Sequence, residues 1–93
     1  MRSEFEQVHN YYERLVIERV VLLAERHATF NQDMLADVCC VALNRLPPRY
    51  IRHDVDLVFY MPEAERQAIY AALEQAVDAA FEQVAQRRDA AGS

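Results

Sequence analysis

The 93-residue chain has no lysine, no tryptophan, a single glycine, three prolines and two cysteines. Each shortage removes a class of explanation. With Gly92 as the only glycine, no glycine-rich phosphate loop can be built. Ser3 and Ser93, the only serines, stand at the two ends, so no serine sits in a nucleophile motif. Cys39 and Cys40 are adjacent, unlike the spaced cysteines of a secreted disulfide framework. On a helix two such neighbours point about 100° apart and make a poor pair of metal ligands. No apolar run reaches the length of a membrane span, and the acidic start does not read as a signal peptide. A cytoplasmic protein without a membrane partner is expected. The net charge of −5 argues against broad DNA or RNA binding, while leaving room for a local arginine patch on a small anion. Every basic side chain apart from the three histidines is an arginine. A coding bias toward arginine and alanine explains that; so does arginine's fitness for bidentate phosphate and guanine recognition.

What is present favours helix. About half the residues are apolar, and the length suits one core. A first helix is expected from Ser3 or Asn10 to about His27, since Ser3 with Glu6 and Asn10 with Glu13 both have capping-box spacing. Its apolar stripe is wide, with Ile17, Val20 and Val21 broadening it. A second helix, capped by Thr29 or Asn31, carries Leu35, Val38, Cys39, Ala42 and Leu46 until Pro47 and Pro48 stop it. Tyr50-Ile51-Arg52 and Leu57-Val58-Phe59-Tyr60 are β-prone and would form a small hairpin or lie extended. A third helix opens at Pro62 and runs to Arg88, leaving residues 89–93 as a loose tail beyond a domain of residues 1–88. The fold class is therefore mainly α, a three-helix-type small domain with an extended segment between helices 2 and 3. At ~40 Å the third helix exceeds the ~30 Å expected across a compact monomer. It must fray, kink or meet a second chain, and a homodimer is favoured.

The distinctive segment is Leu43-Asn44-Arg45-Leu46-Pro47-Pro48-Arg49-Tyr50. Prolines without backbone donors end the helix near Leu46 and form a stiff corner that sets where Arg49 and Tyr50 point. Arg45, Arg49 and Arg52 surround Tyr50, with Asn44, Asp54 and Asp56 nearby. Arginines grip phosphates or stack on a purine, a carboxylate accepts from guanine N–H groups, and tyrosine offers a stacking face. The spacing also fits a plainer arrangement, with Tyr50 in the core and the arginines paired to nearby acids. Catalysis has little support: the cysteines fall within an apolar helix, and Asp37, Asp54 and Asp56 read as solvated carboxylates. His27, His53 and Cys39 would meet at a metal only by tertiary accident.

With these residues in view, the chain resembles the late-competence ComFB family. The resemblance covers Asn10 to Tyr50. It rests on Asn10-Tyr11-Tyr12-Glu13-Arg14-Leu15-Val16-Ile17-Glu18 and, chiefly, on Asp37-Val38 followed by Ala42 to Tyr50 through the proline corner. It implies a small, mainly helical, dimeric cytoplasmic domain without catalytic activity. Such a domain receives cyclic dinucleotides, notably cyclic di-GMP, in the control of motility, competence and cell physiology, and acts on a downstream protein. Polar positions matching the motif are Asn10, Glu13, Asp37, Asn44, Arg49 and Tyr50, with Arg45 and Arg52 as neighbouring phosphate partners. Many members carry a cysteine cluster just before the Asp-Val pair, consistent with zinc. Here that stretch, Phe30 to Ala36, has no cysteine, and no zinc or other cofactor is expected.

Overall fold

Asparagine at position 10 divides what periodicity alone reads as one helix. In the computed structural model, which describes residues 2–92 and the side chains of residues 4–89, a short helix α1 (Arg2–Glu6) is followed by strand β1 (His9–Asn10). Helix α2 (Tyr12–Leu23) then starts afresh and tightens into a 3-10 turn over Ala24–Arg26. A helix thus begins near each expected start, at Arg2 and at Tyr12, though the residue capping α2 is Tyr11 and it makes no side-chain cap bond. Ser3 is the second residue of α1, and its side chain lies outside the described residues. Asparagine competes with the backbone for hydrogen bonds and favours caps over helix interiors. Here Asn10 Oδ1 accepts from Tyr12 N–H at 3.2 Å, and Tyr11 already has helical backbone angles.

Helix α3 (Gln32–Arg45) is capped by Asn31, whose Oδ1 accepts from Met34 N–H at 2.8 Å. Thr29 plays a different part, its carbonyl accepting from the Arg88 guanidinium at 2.8 Å. Leu46 has left the helix (φ −104°, ψ 139°), in the extended region imposed on a residue before proline. Strand β2 (Tyr50–Ile51) follows the two prolines. It pairs antiparallel with β1, His9 opposite Ile51 and Asn10 opposite Tyr50. A local hairpin with Leu57–Tyr60 is thus ruled out, and those residues belong instead to helix α4 (Asp54–Tyr60). Two causes override their β propensity. The edge that β2 offers is taken by β1, and Asp54 and Asp56 lie in the first turn, where carboxylates favour a helix start.

Helix α5 (Glu63–Gly92) is the spine. Pro62 precedes it, its carbonyl accepting from Arg66 N–H at 3.0 Å. The helix continues past Arg88 through Gly92, so the tail expected from residue 89 is helical; Ser93 lies outside the described residues. Alanine, arginine and glutamine are strong helix formers and carry the last turns. Thirty residues span ~45 Å, and the molecule accommodates them by being elongated, 49 × 34 × 21 Å. Its radius of gyration of 15.2 Å compares with about 12 Å for a compact chain of this length.

The core lies where α2 and α3 pack on α5. Val16 and Val20 of α2, Val38 and Ala42 of α3, and Val77 and Ala80 of α5 are buried at its centre. Small side chains there bring the helices close together. At one end His27 stacks on Phe81 with ring centroids 4.0 Å apart, and Phe30 meets both rings. The fold is mainly α, as the composition implies.

Candidate functional site

The proline corner is held by its backbone. Asn10, only 8 % exposed, accepts at Oδ1 from Arg49 N–H (3.1 Å) as well as from Tyr12 N–H. One residue on, Tyr11 N–H donates to the Arg49 carbonyl at 2.7 Å. The main chain of Arg49 is therefore gripped on both sides by the start of α2. A buried amide with two bonds to backbone donors is a structural group, because leaving those donors unpaired is unfavourable by ~1–3 kcal/mol each. Of the residues assigned to the site, Asn10 thus has its oxygen engaged inside the protein. The residue that braces the corner is thus Asn10.

The remaining positions divide by place. Tyr50 is 67 % exposed, so it is no core residue. The Arg49 guanidinium is half-buried and forms an ion pair with Glu65 in the first turn of α5. Arg52 is exposed, and its Nε–H donates to Gln7 Oε1 at 2.8 Å. Arg45 is exposed beside a groove that it lines with Pro47, Ala72 and Gln75. Asn44 and Glu13 are exposed at the end of α3 and the start of α2. Asp37 is also exposed but two turns upstream, ~12 Å along α3 from Arg45. The fold thus brings Asn10, Arg49 and Tyr50 together through the strand pair, and it leaves Asp37 apart.

Three participants escape sequence reading: Gln7, His9 and Glu65. His9 Nδ1–H donates to the Gln7 carbonyl and Nε2–H to Asp54 Oδ1, both at 2.6 Å. Both partners are acceptors, so the two contacts favour the protonated ring, which donates from both nitrogens. The Gln7 carbonyl first, and the Asp54 carboxylate second, hold the His9 pKa above its usual 6.5. Arg14 reaches the other Asp54 oxygen at 3.5 Å. Asp54, offered by the sequence as an acceptor for a base, is therefore occupied by two cations. No spacing signal predicts a pair 45 residues apart; it arises because β1 pairs with β2. Glu65 reads in the sequence only as an acid of a first helical turn.

Elsewhere, Cys39 is partly buried and Cys40 exposed, where an apolar helix suggested two buried thiols. Burial, and then the neighbouring Cys40, hold the Cys39 thiol above its ordinary pKa. Among the described residues, no group of three or more His, Cys, Asp or Glu side chains is placed to hold one metal ion. No described helix is long and apolar enough to cross a membrane.

The sequence model of the family described as Late competence development protein ComFB matches residues 9–88. The chain belongs to the ComFB family. The ComFB match begins at the first residue of β1, so it includes both strands, the Asn10 clamp, the corner and α4, while α1 falls before it. It also extends past Tyr50, where the motif resemblance ended. No curated protein and no solved structure matches the chain.

Proposed function

We propose that this ComFB domain is a non-enzymatic cytoplasmic receptor for a cyclic dinucleotide, cyclic di-GMP being favoured, that regulates a downstream protein. One observation carries the reading. The corner is fixed through the Arg49 main chain, and the Tyr50 ring beside it is exposed, with Arg49 and Arg52 on either side of it in the sequence. An exposed tyrosine with arginines close to it in the chain suits a ligand that joins a flat base to a phosphate. The two arginines rest on Glu65 and Gln7, side chains that a phosphate can replace. Arg45 is the next phosphate partner, with Asn44 at the rim; Asp37 and Glu13 would be reached only by an extended ligand. Neither zinc nor nucleic acid enters this reading. Self-association does, since a two-fold pair of corners matches a two-fold ligand.

The second reading is an adaptor homodimer whose motif only shapes the fold. The Asn10 clamp favours it, because that motif residue is spent on structure. Calorimetry with cyclic di-GMP and cyclic di-AMP separates the two. The receptor reading expects saturable heat with cyclic di-GMP at micromolar concentration. It also expects Tyr50→Ala to weaken binding by ~1–3 kcal/mol, the range for one lost base stack, and Glu65→Gln to tighten it by freeing Arg49. Absence of heat with both nucleotides supports the adaptor.

A further inference from the structure

Helix α1 stands apart from the rest of the molecule. Among the described residues it sends no side chain into the core, and Phe5 is 70 % exposed. A helix of five residues is too short to hold itself in water, because its nucleus is costly and few bonds offset it. It also lies before residue 9, where the ComFB match begins. Gln7 joins this segment to the corner.

Gln7 makes two bonds of unequal kinds. Its carbonyl accepts from His9 Nδ1–H at 2.6 Å, a local contact that keeps its main chain next to β1. Its side-chain Oε1 accepts from Arg52 Nε–H at 2.8 Å, across 45 residues of sequence. Both side chains are exposed, so this second bond competes with water and contributes little net. Arg52 is also one of the arginines assigned to the ligand. A phosphate binds a guanidinium through two parallel bonds between opposite charges, whereas the Gln7 amide offers one neutral oxygen. A phosphate that takes the Nε–H edge in such a fork must displace Gln7.

We propose that Gln7 makes α1 a ligand-released arm. Without ligand, Gln7 covers Arg52 and keeps α1 against the corner. With a phosphate on Arg52 that anchor is lost, and α1 swings out about Gln7, whose main chain stays with His9. The two states differ by one exchange at one guanidinium, which is the differential contact a ligand needs to shift a population. Linkage makes the coupling reciprocal. The factor by which ligand favours the free arm is the factor by which the free arm favours ligand. If Gln7 covers Arg52 for roughly nine-tenths of the time, ligand binds ~10-fold more weakly than at an uncovered site. The Gln7 side chain thus sets the ligand threshold, and the freed α1 is the change at the surface that reports occupancy.

This role deepens the receptor reading above and rests on it for the ligand. Calorimetry and 15N NMR on the full chain with cyclic di-GMP test it. Gln7→Ala is expected to bind cyclic di-GMP roughly 2- to 10-fold more tightly than the wild type, the scale of one net hydrogen bond. Gln7→Glu puts a carboxylate on Arg52 and is expected to bind it ~2- to 5-fold more weakly, the scale of an exposed ion pair. Both variants change an exposed side chain, and their far-UV circular dichroism should stay helical. In the wild type the ligand should lower the heteronuclear NOE of the Phe5 and Glu6 amides, and Arg52→Ala should lower it with no ligand present. Absence of heat from the wild type and from both Gln7 variants overturns the receptor reading and the arm together. Binding that leaves the Phe5 and Glu6 amides undisturbed, or equal affinity in all three proteins, overturns the arm alone.

Discussion

The proline corner and helix α4 are neighbours in the chain, yet they are secured in opposite ways. The corner is anchored by main-chain hydrogen bonds around a buried amide, with Asn10 and Tyr11 closing on both sides of Arg49. Helix α4 is tied at its first residue by Asp54, held from His9 and Arg14, and otherwise by Leu57 and the buried Met61. Its outward residues Val55, Phe59 and Tyr60 touch water. The corner's bonds are made by main-chain groups, partly dry and insensitive to pH; those at the start of α4 are ionic, part-buried and rest in part on one histidine. The chain thus places a rigid platform and a loosely tethered helix side by side. The platform suits the presentation of side chains, and the tethered helix suits a response.

The comparison breaks most directly at Asn10. Asn10→Ala removes a single oxygen on which two backbone donors depend, and is expected to destabilise the fold by ~2–4 kcal/mol. Urea denaturation measures this, and a loss below about 0.5 kcal/mol, the range of ordinary surface changes, would show that the corner is held otherwise. Asn31 sharpens the point, because its side chain serves one donor in an exposed setting. Asn31→Ala is expected to lose only ~1 kcal/mol, as for a typical cap. Equal losses at the two asparagines would mean that burial and the second bond add nothing.

The smallest effect is at α4 and is read through pH. Its sign follows from His9. The folded pKa lies above 6.5, so the His9–Asp54 contribution is fully present below pH 6.5 and is lost as pH rises through the folded value. Hydrogen exchange of α4 amides, corrected for the intrinsic rate, is expected to lose protection across that interval while the Tyr11 and Arg49 amides keep theirs. Asp54→Asn should bring the His9 titration, followed by NMR, down toward 6.5. An unchanged His9 pKa in that variant would leave the Gln7 carbonyl and the Glu13 charge as the causes and remove Asp54 from the tether.

Legibility follows the range of each interaction. Helix α3 and its end can be read in the sequence because asparagine caps and proline stops act within a few residues. The width of the apolar stripe on α2 is legible for the same reason, as is the corner itself. Helix α4 is not, because Leu57 to Tyr60 carry strand propensity, whereas the available strand edge is taken by residues far earlier in the chain. Gln7 and His9 give no signal, since each acts on a partner brought near by that same pairing, and Glu65 gives none because its partner is set by how α5 packs beside the corner.

A mainly helical chain, a stiff corner after Leu46 and the clustering of Arg45, Arg49, Tyr50 and Arg52 around it are all written in the order of residues. Those features depend on local backbone chemistry and on helical periodicity, which a chain carries wherever it goes. Folding in three dimensions adds that Asn10 closes the corner, that Tyr50 faces solvent, that Arg49 rests on Glu65, and that the exposed apolar face lies on α2 and α4. The first of those outcomes depends on a two-residue strand pair joining distant parts of the chain and the others on how the helices pack, and contacts of that kind have no periodicity to announce them.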